Sequence, residues 1–306
     1  MEIKLLKRDE IEKAKWNGCV HYSPNSLIYA YTWYLDNVCD DWMGLVEGDY
    51  ESVFPLVWND KLFGVKRLFQ PYLCQQLGLF SVNALTPKRL LAFIDAIPKE
   101  FKYIDINLND SNRIEKLEGF KITEKPNYTL SLYQSYEQIK TAYSTNLKRN
   151  LKKAEKQNFY ASTSVNPEEF VELVKNYHKE KGNVIPPAIY HTALRVIYNC
   201  LHRNQGFIMA AYNEEQELCS AIFWMSNGAR FINLLNVTTA PGRETGAMPY
   251  LIDLFIQSNS GKPAFIDFEG SSIDSIARFY QSFGAENLPY YNIKKNMLPW
   301  WLKWKK

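Results

Sequence analysis

ARFINLLNVTTAPGRETGAMPYLIDLFIQSN, residues 229–259, reads as a strand, a short loop and a helix in direct succession. β-Branched and apolar residues dominate 229–239, which predicts the strand. Apolar residues recur at helical spacing over 248–259, which predicts the helix. The loop APGRETGA, 240–247, brings Gly242 and Gly246 to the start of that helix. Unpaired amides in a helix's first turn, together with its dipole, favour an anion, and glycine lets a phosphate or pyrophosphate come close. Arg243 would pair with the same charge. The plainer reading is a strand-to-helix turn that needs glycine for its geometry alone.

Outward from this stretch, GFIMAAYN (206–213) and LCSAIFWMS (218–226) complete an antiparallel meander. Helices are expected at 167–181, opened by Pro at the first helical position, and at 187–204, with a long helical region at 135–158. Downstream lie a strand at 263–269, a helix at 272–282 capped by Ser271 or Ser272, and a last strand at 288–294. The first part of the chain repeats the order. Short helices are expected at 9–16 and 26–39, the second capped by Ser23 or Asn25. Three strand-like runs follow, WMGLVEG, YESVFPLVWND and KLFGVKRLFQPYL, with turns at Gly48-Asp49 and Asn59-Asp60. A helix at 87–98 and the strand YIDINLN close the series. This predicts an α/β fold of two similar domains, each built on a mixed sheet, over 1–134 and 135–306, with the tail 296–306 packing back on the first.

The composition of the 306 residues, 46% hydrophobic and 23% charged, is that of a soluble globular protein and excludes disorder, collagen-like repeats and coiled coil. Lys and Arg number 36 against 33 Asp and Glu, so a net charge of +3 argues against a general nucleic-acid coat. The five cysteines are scattered and odd in number, which points to reduced thiols in a cytoplasm. The start, MEIKLLKRDEIEKAK, has no apolar stretch of a secretory signal, and no run nears the roughly 18–20 apolar residues that span a bilayer. The four histidines form no HxxxH or HExxH pattern, so no metal is expected. The Gly-x-Ser-x-Gly elbow, the Walker loop and the dinucleotide fingerprint are all missing, so hydrolase, kinase and dehydrogenase readings have no support.

Four further segments could carry chemistry. On a helix, NLKRNLKKAEK (146–156) puts Lys148, Arg149, Lys152, Lys153 and Lys156 on one face, opposite Tyr143, Leu147, Leu151 and Ala154. That face could grip an anionic substrate or RNA, with Arg149 and Asn150 as the contacts; a solvated helix face is the alternative. In the strand ending IDFEG, Asp267 and Glu269 share a side and could take a proton from an attacking amine, or merely favour the next helix's N-terminus. Gln70, Tyr72, Gln75 and Gln76 in FQPYLCQQLGLFS suit a polar or peptide-like acceptor, or packing around Pro71. The tail MLPWWLKWKK, with Trp300, Trp301, Trp304, Lys303, Lys305 and Lys306, suits a membrane surface or packs its indoles into a domain.

Together these segments resemble the Gcn5-related N-acyltransferase superfamily, in its tandem, Fem-like branch. NLKRNLKKAEK is similar to the Arg-x-x-x-Lys-Ala-x-Lys helix that opens the second domain of Fem-type peptidyltransferases, and DFEGSSIDSIARFYQSFGAE to their later strand–helix segment. The likeness covers about 135–295 and, more loosely, 20–81. It implies two acyltransferase-like domains with a cleft between them, and transfer of an acyl or aminoacyl group to an amine. In ordinary members the loop reads Arg or Gln, two residues, Gly, one residue, then Gly or Ala, and cradles the pyrophosphate of coenzyme A. Here Gly242, Arg243, Thr245, Gly246 and Ala247 would hold an acyl-CoA donor, but Met248 stands where a small residue belongs. Lys294 or Lys295 would stabilise the oxyanion by the same similarity.

The expected activity is thus direct attack by a small-molecule or peptide amine on a thioester or ester, with Asp267 or Glu269 relaying the proton. A Fem-like transferase using aminoacyl-tRNA and a non-catalytic ligand-binding descendant are the alternatives.

Overall fold

The computed structural model describes residues 2–62, 64–270 and 273–299. The chain forms two compact units, Met1–Lys125 with Pro289–Lys306, and Pro126–Leu288. The first contains β1 (Ile3–Lys7), α1 (Lys13–Tyr22), α2 (Thr32–Val38), β2 (Trp42–Glu47), β3 (Ser52–Leu62), β4 (Val65–Phe69), β5 (Phe80–Ser81), α3 (Pro87–Asp95), β6 (Tyr103–Asn107) and β7 (Lys121–Lys125). The second contains β8 (Tyr128–Ser131), α4 (Tyr136–Thr141), α5 (Thr145–Ala154), β9 (Tyr160–Ser162), α6 (Pro167–Glu180), α7 (Pro187–His202), β10 (Gly206–Tyr212), β11 (Leu218–Ser226), β12 (Arg230–Thr238), α8 (Ala240–Thr245), α9 (Ala247–Asn259), β13 (Phe265–Asp267), α10 (Asp274–Gln281) and β14 (Glu286–Asn287). Strand β15 (Tyr290–Asn296) returns to the first unit.

Both sheets are mixed. The first runs β1-β2-β3-β4-β6-β15-β7 with β5 on β3, and the second runs β14-β8-β13-β12-β11-β10-β9. Each holds an antiparallel meander, then a helix, then a strand parallel to the meander's last: β4 to β6 through α3, β12 to β13 through α9. The division falls at 125/126 rather than 134, because β8 pairs with β13 and so belongs to the second sheet. The last strand, assigned by sequence to the second domain, pairs with β6 and β7.

Local differences have local causes. The expected helix over 26–39 breaks into a 3-10 turn at Ile28–Ala30 and α2, with no side-chain cap on either. Ser23 Oγ instead donates to Cys19 O, and buried Asn25 donates to Leu79 O (2.7 Å). Asn59 and Asp60 lie inside β3, with the turn displaced to Gly64 at φ 71°. The long helical region splits into α4 and α5, each started by a serine cap, Ser135 and Ser144.

In the second unit, Trp224 stacks on Phe255 of α9 (centroids 4.2 Å apart) while adjacent Phe223 lies against Cys200 of α7 around Gly206, so helices cover both faces of the sheet. The first unit's core gathers Phe54, Phe93, Leu68, Phe101, Ile104 and Ile293. No described helix is long and apolar enough to cross a membrane. Ser271, Ser272 and the tail residues Trp300, Trp301, Lys303, Trp304, Lys305 and Lys306 lie outside the described residues.

Candidate functional site

The site begins with a strand that loses a neighbour. β12 pairs with β11 from end to end but with parallel β13 only over Arg230–Ile232. Beyond Ile232 no described strand pairs with that edge of β12. A bulge lies at the divergence: Trp224 opposes Asn233 and Phe223 opposes Leu235, so Leu234 is the extra residue. Bulges of this kind re-aim side chains.

The segment after β12, expected as a loop, is the six-residue helix α8. Thr239 Oγ1 caps it by accepting from Gly242 N–H (3.2 Å). Gly246 then takes φ 83° and donates to Gly242 O (3.1 Å). A Cβ on Gly242 would lie 2.0 Å from Cys219 O, and one on Gly246 3.1 Å from Asn150 O. Close approach to β11 and α5, plus one left-handed residue, therefore accounts for both glycines. α9 starts without a side-chain cap; Pro249 carries no N–H, and Tyr250 N–H is bonded to Gly246 O (3.1 Å). The amides of Ala247 and Met248 stand ahead of the helix's own bonding, where the dipole favours negative charge.

These pieces surround a cavity of about 850 Å3 whose walls all belong to the second unit. Of the residues singled out by sequence, Asn150, Gly242, Arg243 and Gly246 line it. Met248 lines it too without closing it: the side chain is 8% exposed, and Sδ lies 3.8 Å from Ser220 Oγ. Ala247 is buried, and Thr245 Oγ1 donates to Pro241 O (2.7 Å). The apolar stripe of α5, Leu147, Leu151 and Ala154, is buried as expected.

The mouth is basic and aromatic. Lys153 of α5 lines it, and Arg243 donates to Thr238 O (2.7 Å) with its guanidinium 5.9 Å from the Tyr177 ring centre. His178 lies alongside, bonded to Tyr190 OH (3.1 Å), and burial lowers its pKa. Among the described residues, Lys148, Arg149, Lys152, Lys153 and Lys156 have no acidic partner within 4.0 Å; Arg149 donates instead to Asn146 Oδ1 (2.6 Å). Glu244 is the acid at the rim.

The interior contains three residues that sequence reasoning missed. Tyr280 of α10 is 7% exposed, its ring stacked on Phe268. Burial pushes its phenol up to about 12 and nearby Glu269 adds to this, against a hydrogen bond from the Asn236 side chain. Asn236 Nδ2 also donates to Asn233 Oδ1 (3.0 Å), and all three side chains line the cavity. In the sequence, Tyr280 stands between aromatic Phe279 and nearby Phe283, so its spacing alone does not set it apart from packing rings.

The proposed acids and the oxyanion lysine are placed differently. Asp267 is 1% exposed and ion-paired with Arg230 (3.1 Å), and its other oxygen accepts from Glu269 N–H (2.9 Å). It is spent on structure, because a buried carboxylate without such partners is prohibitively costly. Glu269 takes φ 58°, and its carbonyl accepts from Tyr128 N–H (3.2 Å). Lys294 is in the first unit, where its ammonium bonds Asp105 (2.7 Å) and lowers that carboxyl, against the opposing effect of burial. Lys295 lies over the Phe120 ring at 4.8 Å. Gln76 is fully buried, donating to Gln75 Oε1 and accepting from Asp110 N–H. Gln70 bridges Cys74 O and Asn107 N–H, Gln75 O accepts from Asn107, and Tyr72 is exposed. These bonds fit the packing reading around Pro71.

No protein-family model and no curated protein sequence matches this chain. Solved structures do. FemX is 12% identical, with a TM-score of 0.64 over 95% of this chain and 97% of its own. The C-terminal domain of a proposed lysylphosphatidylglycerol synthetase from Agrobacterium fabrum is 8% identical, with a TM-score of 0.53 over 92% and 91%. L-PGS from Bacillus licheniformis is 10% identical, with a TM-score of 0.53 over 94% and 93%. At these identities the likeness is one of fold: the chain has the α/β fold, with two mixed sheets, that FemX and the lysylphosphatidylglycerol synthetase domain have.

Proposed function

We propose that this protein transfers an acyl or aminoacyl group from a thioester or ester carrier to an amine. One observation carries the reading: the cavity of about 850 Å3 joins an uncapped helix start, a basic mouth, the bare edge of β12 and a protonated phenol. An anionic carrier meets the start of α9, where Gly246 and Met248 line the cavity, with Lys153 and Arg243, and the unpaired edge of β12 accepts an amide-bearing arm as an added strand would. The fold shared with FemX and with a protein named as a lysylphosphatidylglycerol synthetase supports the same class.

The amine attacks the carbonyl carbon directly. Burial pushes the thiols of Cys19, Cys39 and Cys200 up to about 11, 12 and 12, and raises Cys219, so these four make poor covalent nucleophiles. Tyr280 keeps its proton through the neutral range and gives it to the departing carrier atom. Positioning and fixed dipoles supply the rest.

The unpaired cations of α5 favour a second reading, in which the carrier is aminoacyl-tRNA. Titrations with coenzyme A, acetyl-coenzyme A, uncharged tRNA and aminoacyl-tRNA, followed by thermal shift at several salt concentrations, separate the two. A carrier that binds the folded state raises the midpoint. A steep loss between 50 and 200 mM salt identifies tRNA. If no carrier shifts the midpoint, the transferase reading fails.

A further inference from the structure

One polar atom of the cavity has no use within the fold. Asn233, on β12 beside the bulge, is 3% exposed, and its Nδ2 has no acceptor among the described residues. Buried side-chain donors are almost always paired, so an unmatched one that lines a cavity marks where a ligand acceptor belongs.

The direction of the neighbouring bonds sharpens this. The Asn236 amide has two hydrogens; it donates to Asn233 Oδ1 (3.0 Å), and its effect on Tyr280, favouring the ionised phenol, is that of a donor. An oxygen that faces a donor keeps its own proton for another partner, and no hydrogen bond given by the Tyr280 hydroxyl is found among the described residues. The chain Asn233–Asn236–Tyr280 thus ends in two unspent donors, an amide N–H at one end and a phenolic O–H at the other. A carbonyl attached to a sulfur or oxygen leaving atom offers two acceptors to donors that line one cavity.

We infer that Asn233 is a catalytic residue whose Nδ2 binds the carbonyl oxygen of the transferred acyl group and the negative charge that forms on it. The inference rests on the donor-site reading given above. When the amine nitrogen bonds to the carbonyl carbon, the π pair moves onto the oxygen, which accepts from Asn233. The tetrahedral species collapses by reforming the C=O bond and breaking the bond to the carrier, whose sulfur or oxygen leaves with the electron pair and takes the Tyr280 proton. The new amide nitrogen returns its surplus proton to the Tyr280 oxygen, so the products are an amide and a free carrier thiol or hydroxyl.

The test compares ligands that differ at the carbonyl: acetyl-coenzyme A against S-ethyl-coenzyme A, and aminoacyl-tRNA against uncharged tRNA. Each is titrated calorimetrically into wild type, Asn233→Ala and Asn233→Asp. The wild type is expected to prefer the carbonyl-bearing member of one pair about five- to tenfold. Both variants lose that preference and bind the carbonyl-free member within about twofold of wild type. Asn233→Asp keeps the shape and guards against a folding artefact, since its carboxylate repels the oxygen that the amide attracts. If a carrier binds but wild type shows no preference, or either variant keeps it, the role of Asn233 is overturned while the donor site stands. If neither carrier binds wild type, the donor site itself fails and the inference goes with it.

Discussion

Replacing Tyr280 by Phe deletes one oxygen and leaves the ring, which stacks on Phe268 with centroids 4.6 Å apart and planes 14° from parallel. The stability cost is therefore small. Asn236 loses one partner at a half-exposed position where water can replace it, a loss of about 1 kcal/mol. The catalytic cost is large, since a positioned general acid contributes roughly 100- to 10,000-fold, or about 2.7 to 5.4 kcal/mol of barrier. Carrier affinity should change little, because the anion is held by Lys153, Arg243 and the start of α9 rather than by the phenol. The pH dependence gives an independent check. Burial raises the phenol from 10.0 to about 12 in the folded state, which favours its neutral form there. Its contribution to stability is complete below pH 10 and is lost between 10 and about 12; a gap of two units corresponds to about 3 kcal/mol. Wild type should keep its acid up to the same range, whereas Tyr280→Phe loses this alkaline stability step. The assay is carrier release from acetyl-coenzyme A or aminoacyl-tRNA with a panel of small amines and short peptides, beside calorimetric binding of the carrier. Turnover by Tyr280→Phe within threefold of wild type, with binding unchanged, would refute the role.

Three further changes test the surroundings. Gly246→Ala forces a left-handed alanine against Asn150 O and should cost about 1–2 kcal/mol in urea denaturation, whereas Gly242→Ala drives a Cβ to 2.0 Å from Cys219 O and should cost about 3 kcal/mol or more. Arg230→Met strands Asp267 in the core and should lose about 3–5 kcal/mol, with Asp267→Asn in the same chain recovering a good part of it. Lys153→Ala with Arg243→Ala should weaken carrier binding roughly tenfold and flatten its dependence on salt, leaving the thermal midpoint of the free protein within about 2 °C, because both side chains are exposed.

The parts of this molecule that were legible in its sequence are those whose signal and cause lie within one element. The buried stripe of α5, the meander 206–238 with its following helix, and the Pro-started helices are set by local periodicity and capping. What was not legible depends on a partner far away along the chain. The alternation of IDFE put Asp267 on a definite side of its strand but could not reveal that Arg230, 37 residues earlier, waits on the neighbouring strand. The strand character of 290–296 was visible, whereas its pairing with β6 and β7 was not, because either sheet could satisfy its backbone equally well. Asn233 and Asn236 are the sharpest case. In a regular strand, residues three apart face opposite sides, so two asparagines at that spacing look like unrelated polar interruptions. The extra residue at Leu234 brings them onto one side, and only there does their shared hydrogen bond leave a donor pointing into the cavity. A bulge is a relation between two strands, and no single-strand pattern encodes it. The chemistry proposed for this site therefore depends on the unmatched Leu234: inserting a residue between Phe223 and Trp224 to oppose it should make the ladder regular, turn Asn233 and Asn236 to opposite faces and abolish carrier release even where the fold survives.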